Sequence, residues 1–147
     1  MSNTILLKGD IVREEFEAAA GITPGHVVEL TSAEKAQVHA TAGGNVAPVR
    51  VSLENDLEGE GIDDAYVATD RVQTGVFRPG DQFNAILTTS QTVTKGVTLV
   101  ESAGNGRVRA HVVDSGAGAQ LHKQIIGLAR ETKTTTGSVA RLIVEAV

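Results

Sequence analysis

The sequence is poor in the residues that build covalent or metal-centred frameworks. It contains no Cys and no Trp, three Pro and one Met, and 3% of its residues are aromatic. Without cysteine, disulfide frameworks, thiolate metal sites and cysteine nucleophiles are excluded. The apolar runs are far shorter than the ~20 residues that span a bilayer, and the start lacks a basic region followed by an apolar stretch. We therefore expect neither a membrane anchor nor a signal peptide.

Basic residues are also scarce relative to acidic ones, and the acidic excess is local. The formal net charge is −5, yet six carboxylates crowd into residues 54–64, which we call the acidic loop, and leave the rest of the chain at +1. These six are Glu54, Asp56, Glu58, Glu60, Asp63 and Asp64. Duplex nucleic acid is bound by Lys and Arg that neutralise phosphates, so this charge balance argues against nucleic acid as a partner.

The abundant residues favour strands and turns. The chain has 19 Val, 15 Thr and 16 Gly among 147 residues, a length that fits one compact domain. From residue 23 onward, short apolar segments alternate with turn signals such as Pro79-Gly80-Asp81, a spacing typical of a barrel or sandwich. We predict a mainly β fold, a small β-barrel or β-sandwich, in which residues 1–22 form an N-terminal arm and 23–147 the β-rich body.

The arm itself contains two signals. Residues 4–8 are short and apolar, as in a strand or an arm laid on another surface. Residues 10–21 predict one short helix, because Val12, Phe16 and Ala20 recur at helical spacing and Gly21 is placed as a C-terminal cap. The capping box at the helix start is incomplete.

A hairpin is predicted around Gly104-Asn105-Gly106, because Gly and Asn tolerate the positive φ of tight turns. Two registers stay open. A two-residue turn pairs Leu99 with Val112, whereas a three-residue loop pairs Glu101 with Arg109. A slip of one residue exchanges the faces of a strand, so the two registers predict different cores.

The C-terminal part begins with a Gly-rich segment, Ser115–Ala119, which predicts a flexible connector. It ends in a strand within residues 138–147 that carries apolar residues on both faces, Leu142 and Val144 on one and Ile143 on the other. Such a strand is typically buried on both faces, inside the domain or against another subunit.

Motifs that carry chemistry are missing. The four histidines, at positions 26, 39, 111 and 122, show no metal-binding spacing, and neither a phosphate-binding loop nor a GxSxG nucleophile motif occurs. In the acidic loop, Asp56, Glu58 and Glu60 fit the first half of an EF-hand, but Val67 stands where the bidentate Glu belongs. We expect no catalysis, no metal and no cofactor, and interpret the loop as solvated or as a contact for a basic partner.

Five stretches resemble the head decoration, or capsid cement, proteins of tailed bacteriophages. They are Ala18–Leu30 (AAAGITPGHVVEL), Ala40–Gly44 (ATAGG), Leu53–Tyr66 (LENDLEGEGIDDAY), Phe77–Asp81 (FRPGD) and Glu101–Arg107 (ESAGNGR). The resemblance implies a non-enzymatic, β-rich protein that assembles as a homo-oligomer, often a trimer. It also implies a place on the outer surface of the phage head, after synthesis in the host cytoplasm, where the protein clamps neighbouring major capsid protein subunits and stabilises the shell.

On this interpretation the arm, the acidic loop and the last strand contact the capsid or a second subunit. The candidate contact residues are Ile5, Leu6, Leu7, Arg13 and Phe16, the six carboxylates of the acidic loop, and Leu142 and Val144. Two other functions stay open: a small-ligand or carbohydrate-binding β-barrel, and an enzyme that uses the acidic-loop carboxylates with a divalent ion. Scarce aromatics argue against a sugar site, because sugars stack on aromatic rings, and the four present are predicted to anchor the core.

Overall fold

The structure is a computed structural model that describes residues 3–113 and 123–147. The regular elements in these ranges are all β-strands, and no helix that could cross a membrane occurs in them. The predicted connector Ser115–Ala119 lies outside the described residues. In chain order the strands are β1 (Leu6–Lys8), β2 (Val12–Glu17), β3 (Val28–Leu30), β4 (Ala36–Val38), β5 (Arg50–Ser52), β6 (Arg71–Val76), β7 (Gln82–Leu87), β8 (Thr92–Val93), β9 (Leu99–Gly104), β10 (Arg107–Ala110), β11 (Ile125–Ala129), β12 (Lys133–Thr134) and β13 (Ala140–Ala146).

Five of these strands close into a barrel. β7 pairs with β10, β10 with β9, β9 with β11, β11 with β13, and β13 returns to β7. The seam between β7 and β10 is parallel, with Leu87 opposite Val108, and the other four pairings are antiparallel. The prediction of a mainly β fold is confirmed, and the barrel is the form that it takes.

Side chains from the barrel strands fill the interior, as in other small barrels. Phe83, Leu87, Val100 and Ile126 are all completely buried. The ring of Phe83 also packs against Phe77, with ring centroids 4.7 Å apart. The interior of the barrel is therefore a packed core, and we expect functional features on the surface of the protein.

The last strand is part of this core. β13 pairs with β7 over six residues and with β11 on its other edge. Leu142 and Val144, two of the candidate contact residues, are completely buried in the barrel, so of the two alternatives for this strand, burial inside the domain is the one seen in the chain. Ile143, on the opposite face, is half-buried, and Val139 is 40% exposed.

The N-terminal segment lies on the barrel of its own chain. Leu6 pairs with Phe83 and Lys8 with Gln82, so β1 extends the sheet at β7. Ile5 is completely buried, and its N–H donates to Glu54 Oε2 at 3.0 Å. Ile5, one of the candidate contact residues, is thus covered by its own chain, because β1 pairs with Gln82 and Phe83 at the start of β7, whereas β10 pairs with β7 at Leu87.

The predicted helix does not form, because residues 12–17 are a strand. β2 pairs with β6 along its whole length in a three-stranded sheet of order β2-β6-β5. Val12 and Phe16 are four residues apart, a spacing that also places both on one face of a strand. A helical signal without a complete cap is weak, and pairing with β6 outweighs it.

The hairpin of β9 and β10 combines features of both predicted registers. Asn105 and Gly106 have positive φ angles of 53° and 71° and form a two-residue turn. A bulge next to this turn then shifts the pairing, so that Glu101 lies opposite Arg109. The register of the three-residue alternative is the one formed beyond the bulge, and it places Val100 in the barrel core.

The outer sheets have a smaller core of their own. The β3–β4 hairpin and the three-stranded sheet bury a second apolar cluster that includes Ile22, Ala36, Tyr66 and Val72. Tyr66 lies two residues after the end of the acidic loop, so its burial in this second core fixes the position of that end of the loop.

Candidate interaction surface

The acidic loop is held at its base by Tyr66. The Tyr66 side chain is 2% exposed, and its hydroxyl donates to the carbonyl of Leu53 at 2.9 Å and accepts the Gln73 N–H at 3.3 Å. Backbone hydrogen bonds in both directions join Tyr66 to Ile22. Burial raises the pKa of the Tyr66 hydroxyl to about 12. The two ends of the loop, at Leu53 and Tyr66, are therefore fixed to each other.

Asn55 organises the first half of the loop from inside. Its side-chain Nδ2 donates to Glu58 Oε2 at 2.8 Å and to Glu60 Oε2 at 3.3 Å. The backbone carbonyl of Asn55 accepts the backbone N–H groups of the same two residues. Gly59 allows the tight turn between them with a φ of 77°. A single amide thus binds two carboxylates and holds the loop in shape before any partner arrives.

The outer face of the loop presents charge around one apolar side chain. Leu57 is 80% exposed and stands between Asp56 and Glu58, which are also exposed. Single exposed apolar side chains are common on protein surfaces, so the distinctive feature of Leu57 is the group of carboxylates around it. Of the six predicted carboxylates, five lie exposed on this surface: Asp56, Glu58, Glu60, Asp63 and Asp64.

The sixth carboxylate and one of the exposed ones tie the loop to the barrel. Glu54 accepts the Ile5 N–H, and Asp63 Oδ1 lies 3.2 Å from Arg141 Nη2 on β13. Asp64 closes the end of the loop by accepting the Gly61 N–H at 2.7 Å. Within residues 3–113 and 123–147, no group of three or more metal-ligating side chains is arranged to hold an ion.

The other predicted contact residues are distributed over the N-terminal strands. Leu6 and Leu7 are half-buried on β1, while Arg13 is exposed on β2. Phe16 is half-buried, and the Arg50 guanidinium lies 5.4 Å from the centre of its ring. Among the candidate residues of the N-terminal segment, Ile5 bonds the acidic loop, through its N–H to Glu54 Oε2.

A buried Ser–His pair is present that sequence reasoning missed. His39 Nδ1 lies 2.7 Å from Ser102 Oγ, its Nε2 lies 3.0 Å from the Asn45 carbonyl, and Glu29 Oε2 is 3.6 Å from Nε2. Ser102 is completely buried and His39 is 2% exposed, so the pair lies in the interior of the protein. The pair connects β9 to the segment after β4, and no local motif could reveal residues 63 positions apart.

A second buried polar group stabilises the hairpin. Glu101 is completely buried; its Oε1 lies 2.7 Å from Arg109 Nη2 and its Oε2 lies 2.6 Å from His111 Nδ1. The Arg109 guanidinium and the His111 ring together provide partners for a carboxylate that would otherwise be costly to bury. Glu101 lies opposite Arg109 in the β9–β10 pairing, as in one of the two predicted registers, and this places the two side chains next to each other.

These features define a class of protein: a closed five-stranded β-barrel with small appended sheets, whose prominent surface feature is a rigid acidic loop with an apolar tip.

A solved structure of this shape is known. The chain is similar to the N-terminal base of the head fiber gp8.5 of bacteriophage phi29, with a TM-score of 0.54, 9% sequence identity, and coverage of 94% of this chain and 98% of that one. No protein-family model matches the chain, and no curated protein matches it. At this identity the likeness shows a shared fold, that of a phage head-associated structural protein.

Proposed function

We propose that the chain is a non-enzymatic decoration protein of a phage head, bound to the outer surface of the capsid, where it clamps neighbouring major capsid protein subunits. The observation that carries the proposal is the shared fold with the base of a phage head fiber over nearly the whole of both chains. The sequence stretches that resemble capsid cement proteins support it independently. A homo-oligomer, most simply a trimer, would place several contact surfaces on the shell at once. Its overall avidity would then exceed the affinity of each single contact.

The acidic loop is the surface best suited to contact the capsid. Its shape is set by Tyr66 and Asn55 before binding, so little conformational entropy is lost on association. Leu57 supplies an apolar anchor at its tip, and the carboxylates around it favour a basic rim on the partner. We therefore assign the capsid contact to Leu57 and the exposed carboxylates of the loop.

The N-terminal segment has a different part in this proposal. Because Ile5 is buried and β1 is paired within the chain, the segment cannot be removed without damage to the barrel. Loss of binding after deletion of residues 1–9 would then reflect a weakened fold as much as a lost contact. Point variants of exposed residues are the cleaner test.

A carbohydrate-binding function receives little support from the aromatic residues. Tyr66, Phe77 and Phe83 are buried, and Phe16 is half-buried beneath Arg50. All four aromatic residues of the chain lie in the described ranges, and none offers an exposed ring on which a sugar could stack.

The test is sedimentation with phage heads that lack this protein. The loop variant combines Asp56→Lys with Leu57→Ser. The matched control combines Asp10→Lys with Val97→Ser, which makes the same change of charge and removes an apolar residue of similar exposure (73% against 80% for Leu57) outside the loop. We expect the loop variant to bind about tenfold more weakly or worse, since it loses both the anchor and the charge complementarity. The control should bind like the unchanged chain.

The outcomes separate two claims. If the unchanged chain does not sediment with heads, the decoration function is refuted. If the chain binds and the loop variant binds equally well, the acidic loop is not the contact. Weaker binding at high salt is also expected, because exposed charges are screened.

A further inference from the structure

A cavity of about 310 Å³ opens between β13 and the turn that precedes β3. One part of its lining is apolar, made by Ile86, Val139 and Ala140. The rest is polar and includes His26, Arg107 and Arg141. Pockets near this size that combine apolar walls with a few convergent polar groups are typical ligand sites. The cavity borders the acidic loop, because Asp63 also lines it, whereas Leu57 at the tip of the loop does not.

Arg107 is the unusual residue of the cavity. Its Nε is buried, and it is the sole buried side-chain nitrogen or oxygen without a hydrogen-bond partner in the described part of the chain. Buried polar atoms are almost always paired, so an unpaired guanidinium nitrogen indicates a missing acceptor. Arg107 also follows directly after the tight hairpin turn, which limits where its side chain can go.

In Arg141, by contrast, both terminal guanidinium nitrogens have partners. Its Nη1 donates to the Pro24 carbonyl at 2.5 Å, and its Nη2 donates to the Ile62 carbonyl and to Asp63 Oδ1. A Cβ on Gly25 would overlap Nη1 of Arg141, so the absence of a side chain there lets the guanidinium pack against the backbone. Asp63 neutralises the charge of Arg141, whereas Arg107 remains without a counter-ion among the described residues.

His26 is held as a neutral donor on the same cavity. Its Nδ1 accepts the Thr23 N–H at 3.2 Å, so the proton of the neutral ring is on Nε2. Burial, followed by the charges of Arg107 and Arg141, lowers the pKa of His26 to about 4. Gly106 allows close packing, because a Cβ there would lie 2.8 Å from His26 Cγ. At neutral pH the cavity therefore carries one uncompensated positive charge, that of Arg107.

We propose that this cavity binds a carboxylate on a short aliphatic chain, such as an Asp or Glu side chain of another protein, with Arg107 as its main ligand. The guanidinium matches a carboxylate, which it can bind through two parallel hydrogen bonds. The net charge of +1 balances one carboxylate, and Ile86, Val139 and Ala140 offer contacts for the aliphatic part. Inorganic phosphate carries more charge at neutral pH and has no apolar part to pack on these walls. The inference is independent of the decoration function.

The test uses butyrate and inorganic phosphate as probes of the full chain at neutral pH. Nuclear magnetic resonance follows the Arg107 Nε–H and the His26 ring, with the His39 and His111 rings as internal references. Butyrate should shift the Arg107 and His26 signals with saturation and raise the pKa of His26, because it neutralises the nearby guanidinium. The His39 and His111 signals should stay in place. No saturable shift with butyrate would refute the site, and tighter binding of phosphate than of butyrate would refute the carboxylate assignment.

Variants separate a built site from general charge attraction. Arg107→Gln should weaken butyrate binding about tenfold or more, as expected when hydrogen bonds to a charged group are lost. Arg13→Gln removes one exposed positive charge elsewhere and should leave binding unchanged. Ala140→Leu keeps Arg107 but fills the cavity and should also abolish binding, which keeps the test decisive if Arg107→Gln folds poorly. Equal binding by Arg107→Gln and Arg13→Gln would overturn the proposal.

Discussion

Tyr66→Phe tests whether the hydroxyl that closes the acidic loop also stabilises the fold. In the native chain this hydroxyl bonds the Leu53 carbonyl and the Gln73 N–H while the ring is buried. Phenylalanine keeps the ring and leaves both backbone groups without this partner. At neutral pH we expect the variant to lose about 1–3 kcal/mol of unfolding free energy, the cost of leaving buried groups unpaired.

The same hydroxyl gives the effect a pH signature. The pKa of Tyr66 rises from 10.0 to about 12 on folding, so between these values the unfolded chain has released a proton that the folded chain retains. The stabilisation is complete below pH 10 and is lost as the pH rises toward 12, by about 1.4 kcal/mol per pH unit and about 3 kcal/mol in all. The difference between native chain and variant should therefore shrink to zero or reverse in strong alkali.

Urea unfolding, followed by circular dichroism across the alkaline range, measures this difference. Lysines titrate in the same range in both proteins, so subtracting the variant's curve removes their contribution. Since the chain contains one Tyr and no Trp, tyrosinate absorbance reports the ionisation of Tyr66 directly. A stability difference that does not change with pH, or tyrosinate formation at an ordinary pKa in the folded protein, would refute the reasoning.

Three further predictions concern the fold. Ile5→Ala should cost about 2–5 kcal/mol in urea unfolding, because Ile5 is completely buried; a loss well below 1 kcal/mol would mean that the N-terminal segment is not part of the core. Because folding lowers the pKa of His26, unfolding adds a proton below pH 6.5, and the free energy of unfolding should fall by up to about 3 kcal/mol as the pH drops from 6.5 toward 4. The His26→Gln variant should lose less unfolding free energy over that range. Parallel curves of stability against pH for the two proteins would contradict this. Glu101→Gln should cost about 1–3 kcal/mol, because it removes the negative charge beside Arg109 and one hydrogen-bond acceptor of a completely buried group; a neutral effect on the melting temperature would show that the charge of Glu101 does not stabilise the fold.

Local signals in the sequence were sufficient for the strands and their turns. The Pro79-Gly80-Asp81 signal becomes a turn in which Asp81 N–H donates to the Arg78 carbonyl, and Arg78 N–H donates to Asp81 Oδ2 at 2.8 Å. The Asn105-Gly106 turn was predictable for the same reason, since it depends on residues that tolerate positive φ. The bulge beside it was not, because it depends on how β9 pairs on both edges at once.

Predictions failed where distant pairing decides the outcome. Val12 and Phe16 fit a helix and a strand equally well by spacing, and the partner strand β6, about 60 residues away, decides between them. From the sequence, the apolar side chains of Leu142 and Val144 could be buried by a partner or inside a closed barrel. The barrel closes through the pairing of β13 with β7, which depends on the whole sheet. The same limit applies to Arg107 and Arg141, which are brought to one cavity by the fold.

Of the candidate site, the sequence identifies the charge and the structure adds the geometry. The cluster of carboxylates in residues 54–64 is evident from composition, as is its preference for a basic partner. That Asn55 organises two of them, and that Leu57 stands exposed at the tip, follows from hydrogen bonds and burial that no residue pattern specifies.

The central claim is that this chain decorates a phage head, and co-sedimentation with heads that lack it tests the claim most directly. We expect saturable binding, with a fixed number of copies per head that stands in a simple ratio to the number of capsid protein subunits. The variant that combines Asp56→Lys with Leu57→Ser should bind more weakly. A chain that stays in the supernatant with expanded heads at every concentration would contradict it.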